Sequence, residues 1–198
     1  IFIMKRFLLI LILTFNFQTI VKTDDVHNFE IFGSSVGDSL LKFKSKSIIE
    51  KKIKYFMPSL YGEKFYRIAF EIEDDNYDFV AFYLKKNDAQ YKIYSLEGMK
   101  YINYSKCKKK MNKIHKSMEK SFADNYKLVK REDFHEYDKS NKSKVKIFDF
   151  MRSDNYTISR IICTDWSKKL EAKGFDDNLA IYLQSEIFSK FMLNEAYK

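Results

Sequence analysis

KFYRIAFEIEDDNYDFVAFYLKKNDAQYKIYSLE, residues 64–97, contains three strand-like runs, 64–73, 78–85 and 91–97, separated by short polar connections. Tyr66, Ile68, Phe70 and Ile72 alternate with Arg67, Glu71 and Glu73, and this period of two puts an apolar set on one face of a strand and a charged set on the other. Asp74-Asp75-Asn76 and Asn87-Asp88 supply residues that tolerate tight turns. The stretch therefore predicts an antiparallel meander with one buried face.

Downstream the period changes. Cys107, Met111, Ile114, Met118 and Phe122 recur at helical spacing and predict a helix over 104–122 with one apolar stripe. Residues 131–144 are polar and read as a loop; strands follow near 144–152, 155–164 and 178–184, and a closing helix over 185–195 carries Ile187, Phe191 and Met192. Upstream, residues 28–32 (NFEIF) alternate like a short strand. Gly33 to Gly37 break it, Asp38 or Ser39 suits a helix N-cap, and Ser47-Ile48-Ile49-Glu50 has capping-box spacing for a short helix ending before Pro58. The order implies the α+β class: an antiparallel sheet built from two three-stranded meanders, covered by helices.

The chain has 198 residues, 45% hydrophobic and 17% aromatic, enough for one core and too short for two comfortable domains. The aromatic share argues against disorder, and five glycines with one proline exclude a collagen-like or linker protein. Met4-Lys5-Arg6, the apolar run Phe7 to Phe17 and the polar exit to Asp24-Asp25 have the layout of a secretory signal peptide over 1–23. Asn16 and Gln18 interrupt the run short of the roughly 20 residues of a membrane span. An uncleaved anchor is the alternative. The expected product is one α+β domain over 24–198, periplasmic or secreted.

Export bears on the cysteines. Cys107 and Cys163 lie 56 positions apart, without CxxC spacing, and in an oxidising compartment such a pair most simply forms a disulfide. Two separate buried thiols are the alternative. Removal of Lys5, Arg6 and Lys22 lowers the net charge from +9 to +6, and only five basic residues are arginine. Lysine is a hydrated point charge, so the excess implies solubility or diffuse attraction to anions, and no specific nucleic-acid binding is expected. The densest basic stretch makes Lys106, Lys109, Lys113, Lys116 and Lys120 a candidate anion-binding surface; the plainer reading is the solvated side of an amphipathic helix.

Gly37-Asp38-Ser39-Leu40 spells the signature of the GDSL esterases, whose serine is the nucleophile. A serine needs a positioned imidazole to take its proton, and the histidines are only His27, His115 and His135, none in the Asp-x-x-His spacing of that family. The motif is read as a cap. The acidic turn Glu73-Asp74-Asp75-Asp78 lacks the ordered ligand series of an EF-hand. No catalytic residue, cofactor or metal is expected. Trp166, the single tryptophan, reads as partly packed, or as an anchor for a surface contact.

Phe29-Glu30-Ile31-Phe32-Gly33-x-Ser35-Val36-Gly37-Asp38-Ser39-Leu40-Leu41, with Tyr91 to Gly98, Cys107-x-x-x-Met111, Asp165-Trp166-Ser167 and Asn194-Glu195-Ala196-Tyr197, resembles a family of small exported proteins of AT-rich bacteria. That resemblance implies export and carries no activity. The Gly33-x-Ser35-x-x-Asp38 opening is also similar to small envelope lipoproteins of the outer-membrane assembly type, but no lipobox cysteine is present. The expected function is a non-catalytic binding or structural module of the cell envelope, partnered by an envelope protein or an anionic surface. The alternatives are an envelope hydrolase with a loop-built carboxylate site, and a basic module that binds anionic lipid or polymer.

Overall fold

The computed structural model describes residues 26, 29–54, 64–122 and 126–196. Residues 1–23, where a signal peptide is expected, His27 and Pro58 lie outside the described residues. A 3-10 turn (Leu40–Lys42) and helix α1 (Lys46–Lys54) precede strands β1 (Phe65–Glu71), β2 (Phe79–Lys85) and β3 (Ile93–Tyr101). Helix α2 (Tyr104–Ser121) follows, then β4 (Tyr126–Phe134), β5 (Lys144–Arg152) and β6 (Thr157–Asp165). The short α3 (Lys168–Glu171), β7 (Asn178–Gln184) and α4 (Glu186–Asn194) complete the chain. The class is α+β.

All seven strands form one antiparallel sheet in the order β1-β2-β3-β7-β6-β5-β4. The first meander pairs as expected, with Asn87 taking a left-handed φ of 63° between β2 and β3, but β2 is buried on both faces, because α4 packs on Tyr83 from the second. The second half differs from a three-stranded meander. β4 begins before the expected polar loop and includes its first residues, and β7 sits mid-sheet beside β3. β4 escapes a periodicity reading because it is an edge strand with most of its residues exposed, so neither face needs an apolar set. Of the strand expected over 28–32, residue 28 lies outside the described residues and 29–32 form no strand: Ile31 and Ser34 make an isolated bridge across Phe32 and Gly33, both at positive φ. The α1 cap also shifts by two residues, since Ser45 Oγ accepts from the Ile48 amide.

One face of the sheet carries the main core. α2 packs on β6 and β7 and buries Cys107, Met111, His115 and Met118; Ile114 packs half-buried against the core as expected, and His115 beside it is buried more deeply. The Cys107–Cys163 disulfide ties α2 to β6, with the two Cα atoms 5.8 Å apart. Leu96, Ile161 and Leu179 lie beneath. Gly98 is required here: a Cβ would meet the Tyr77 ring at 2.5 Å and the Ile31 side chain at 2.8 Å. On the opposite face α4 covers one end, where Phe188 and Phe191 pack on Phe65. The rest of that face stays open, and there Arg67 does not extend into solvent as the alternation implied.

Candidate functional site

Two surfaces carry the chemistry. On the α2 side, Lys106, Lys109, Lys113, Lys116 and Lys120 are all exposed. The same helix adds Lys108 and Lys110, with Glu119 as its only acid. The strands next to it present more lysine: a groove of about 400 Å³ between α2 and the sheet edge is lined by Asn112, Lys130, Arg131, Glu132, Lys146 and Phe148. Lys146 pairs with Glu132 at 2.5 Å, holding that carboxyl below its ordinary range, and Lys108 and Lys144 act in the same direction. Asp165 stands near Lys108 and Lys144, its pKa raised first by burial and then by Asp177. Ten lysines thus share this side with Glu119, Glu132 and Asp165, and Asp177 and Glu171 lie near Asp165, Asp177 accepting from the Tyr104 amide at the start of α2. None of the exposed α2 residues is a large apolar one, so the surface attracts through charge and has nothing to insert.

The open face gathers three of the arginines. Glu97, buried on β3, accepts from Arg67 Nη2 at 2.8 Å, Arg67 Nε at 3.1 Å, the Tyr83 hydroxyl at 2.9 Å and the Tyr182 hydroxyl at 3.2 Å. Burial works against the Arg67 charge, but Glu97 and Tyr83 more than offset it and hold the guanidinium above its ordinary pKa. Farther along, buried Asp149 accepts from Arg160 Nε at 2.5 Å and Nη2 at 3.2 Å, and pairs with Arg131 Nη2 at 3.2 Å. Beside this triad a groove of about 540 Å³ crosses the open strands from β4 to β3. At its far end Trp166 stacks on His135, with ring centroids 4.2 Å apart, and on Phe175 at 5.0 Å.

Ser39 caps the 3-10 turn, accepting from the Leu41 amide at 3.3 Å and donating to the Gln90 carbonyl at 2.5 Å. Asp38 accepts from the Ser35 amide and pairs with Lys42. His115 is buried on α2 and His135 lies against Trp166, so the GDSL serine acts as a cap. In the acidic turn, Asp74 accepts from the Asn76 and Tyr77 amides, and Asp78 pairs with Lys100 at 2.6 Å. In the loop after β4, Asp138 accepts from the hydroxyls of Ser140 (2.7 Å) and Ser143 (2.6 Å) and from both their amides, which holds its carboxyl far below the usual range. Among the described residues no three His, Cys, Asp or Glu side chains converge in a metal-binding arrangement, and no helix is long and apolar enough to cross a membrane.

His115 makes stability depend on pH. Its Nε2 has no hydrogen-bond partner, Phe148 and Phe150 pack on the ring, and burial, then Lys130, lower its pKa, with Glu119 opposing. Burial lowers His135 in the same direction. The unfolded chain takes up these protons near pH 6.5 and the folded chain only below that. Stability is therefore complete above about pH 6.5 and declines as pH falls toward the folded values. The urea midpoint is expected to fall between pH 7.5 and 5, and His115→Leu to flatten that fall. An unchanged pH profile in the variant would assign the slope elsewhere.

Comparison with protein-family models, curated proteins and solved structures found no match. The arginine clusters escaped sequence reasoning because their partners are remote: Glu97 is 30 positions from Arg67 and Asp149 is 11 from Arg160. The available signal was an arginine at an out-of-phase position in an otherwise apolar strand, as at Arg67 and Arg160.

Proposed function

We propose that the protein is an exported, non-catalytic binding module whose lysine-covered α2 side adsorbs to the phosphate-bearing surface of an anionic membrane. The carrying observation is the segregation of charge: ten lysines lie on one side, while on the open face Arg67 pairs with Glu97, and Arg131 and Arg160 share Asp149. Each buried carboxylate described here is engaged by arginine, tyrosine or serine donors, which favours binding over hydrolysis. The disulfide supports export, because such bonds persist in oxidising compartments. Resemblance to the exported family of AT-rich bacteria supports the same assignment.

Each lysine near an anionic surface contributes about 1 kcal/mol, and the attraction fades within a Debye length of roughly 10 Å at 0.1 M salt. The protein is expected to sediment with vesicles containing anionic phospholipid at low ionic strength and to be released at high salt. Lys109→Gln with Lys113→Gln should weaken retention by about 30-fold, equivalent to about 2 kcal/mol. Equal sedimentation with zwitterionic vesicles, indifference to salt, or binding to a soluble polyanion alone would reject the membrane assignment.

A further inference from the structure

The open face of the sheet carries a second and separate site. Its groove has an apolar floor of Val145, Ile147, Ile162, Ala180 and Met99, and its volume lies within the range of small-molecule sites. One end is formed by Arg131 and Arg160. Both guanidiniums rest on the same carboxylate, Asp149, which is 3% exposed, whereas Arg131 is 49% exposed and directs only Nη2 to it. Two guanidiniums thus share one buried carboxylate, an excess of one positive charge over it at this end of the groove, beside an apolar floor. The neighbouring Arg67 does not add to it, since Glu97 neutralises it. Asp133 lies on the same face of β4 midway between Arg131 and His135, and Glu136 lines the groove beyond them, next to Trp166. An anion is therefore repelled there and drawn to the arginines.

We propose that this groove binds an amphipathic monocarboxylate. Its head pairs with Arg131 and Arg160, and its alkyl body lies over Ile147 and Ile162 toward Trp166. A planar guanidinium matches a carboxylate through two parallel hydrogen bonds, and an excess of one positive charge suits a monoanion. Arg131 and His135 are four residues apart, roughly 13 Å of extended chain, which sets the length of the body at a medium alkyl chain.

Trp166 reports directly on occupancy, because it is the single tryptophan and lines the groove. The full chain is titrated with decanoate, kept below its micelle concentration, and separately with decanol. Decanoate is expected to shift Trp166 emission saturably and to bind at least 10-fold more tightly than decanol. Arg131→Gln leaves Asp149 paired with Arg160, and is expected to weaken decanoate about 10-fold while leaving decanol unchanged. Ile147 is the cross-strand partner of Arg131, so Ile147→Glu supplies an internal carboxylate and should abolish decanoate binding. Equal affinity for decanoate and decanol, no change in Trp166 emission, or full decanoate affinity in either folded variant would overturn the proposal. The vesicle result does not bear on it, because the two surfaces lie on opposite sides of the sheet.

Discussion

Replacing both Cys107 and Cys163 with alanine is expected to cost about 4 kcal/mol of stability, the loop-closure entropy of a 56-residue crosslink in the unfolded chain. For a chain of this size that corresponds to a melting temperature lower by roughly 8–16 °C. Alanine is the appropriate substitute because both sulfurs are fully buried, and a serine hydroxyl would add its own desolvation penalty. The bond also joins α2, the longest described helix, to β6, so its loss removes the covalent contact between elements that otherwise meet through packing and the Ser159–Met118 hydrogen bond. Differential scanning calorimetry of the wild type with and without reductant, beside the double alanine variant, measures the effect. Coincident melting of all three would show that the crosslink does not constrain the unfolded state.

Glu97→Ala is expected to be comparably damaging, at about 3–5 kcal/mol, because it leaves Arg67 half-buried without its counter-charge. The hydroxyls of Tyr83 and Tyr182 lose an acceptor at the same time. Glu97→Gln keeps an acceptor and should lose less. The decisive variant is the double replacement Arg67→Met with Glu97→Leu, which removes both charges. Since desolvation offsets much of a buried pair's attraction, the double variant should recover most of the loss. Chemical denaturation of the three variants separates the two contributions. If Glu97→Ala costs under about 1 kcal/mol, the pair behaves as an exposed surface ion pair and the open face is wetter than its geometry implies.

β1 and the α2 helix could be read because apolar residues recur at the period of the element, and β2, which is buried on both faces, because an unbroken apolar run is bounded by turn residues. The disulfide was legible because only two cysteines exist to pair. Ser39 as a cap could be read for a similar reason, since a missing histidine partner is visible without coordinates. Lysines 106, 109, 113, 116 and 120 were legible as an exposed helix face, because they fill the positions that the apolar stripe leaves.

Only the tertiary structure decided the rest. β4 has exposed positions on both faces, so no periodicity marks it, and its existence depends on the hydrogen bonds that β5 supplies. The place of β7 beside β3 is a long-range pairing between segments that local propensity cannot connect. His115 is buried beside the half-buried Ile114 because α2 meets β5 at Phe148 and Phe150, a rotation set by the partner surface. The arginine triad and the groove follow the same logic. An out-of-phase arginine in a strand states that something charged faces the other way, but which carboxylate it meets, and what apolar floor lies beside it, are properties of register across four strands.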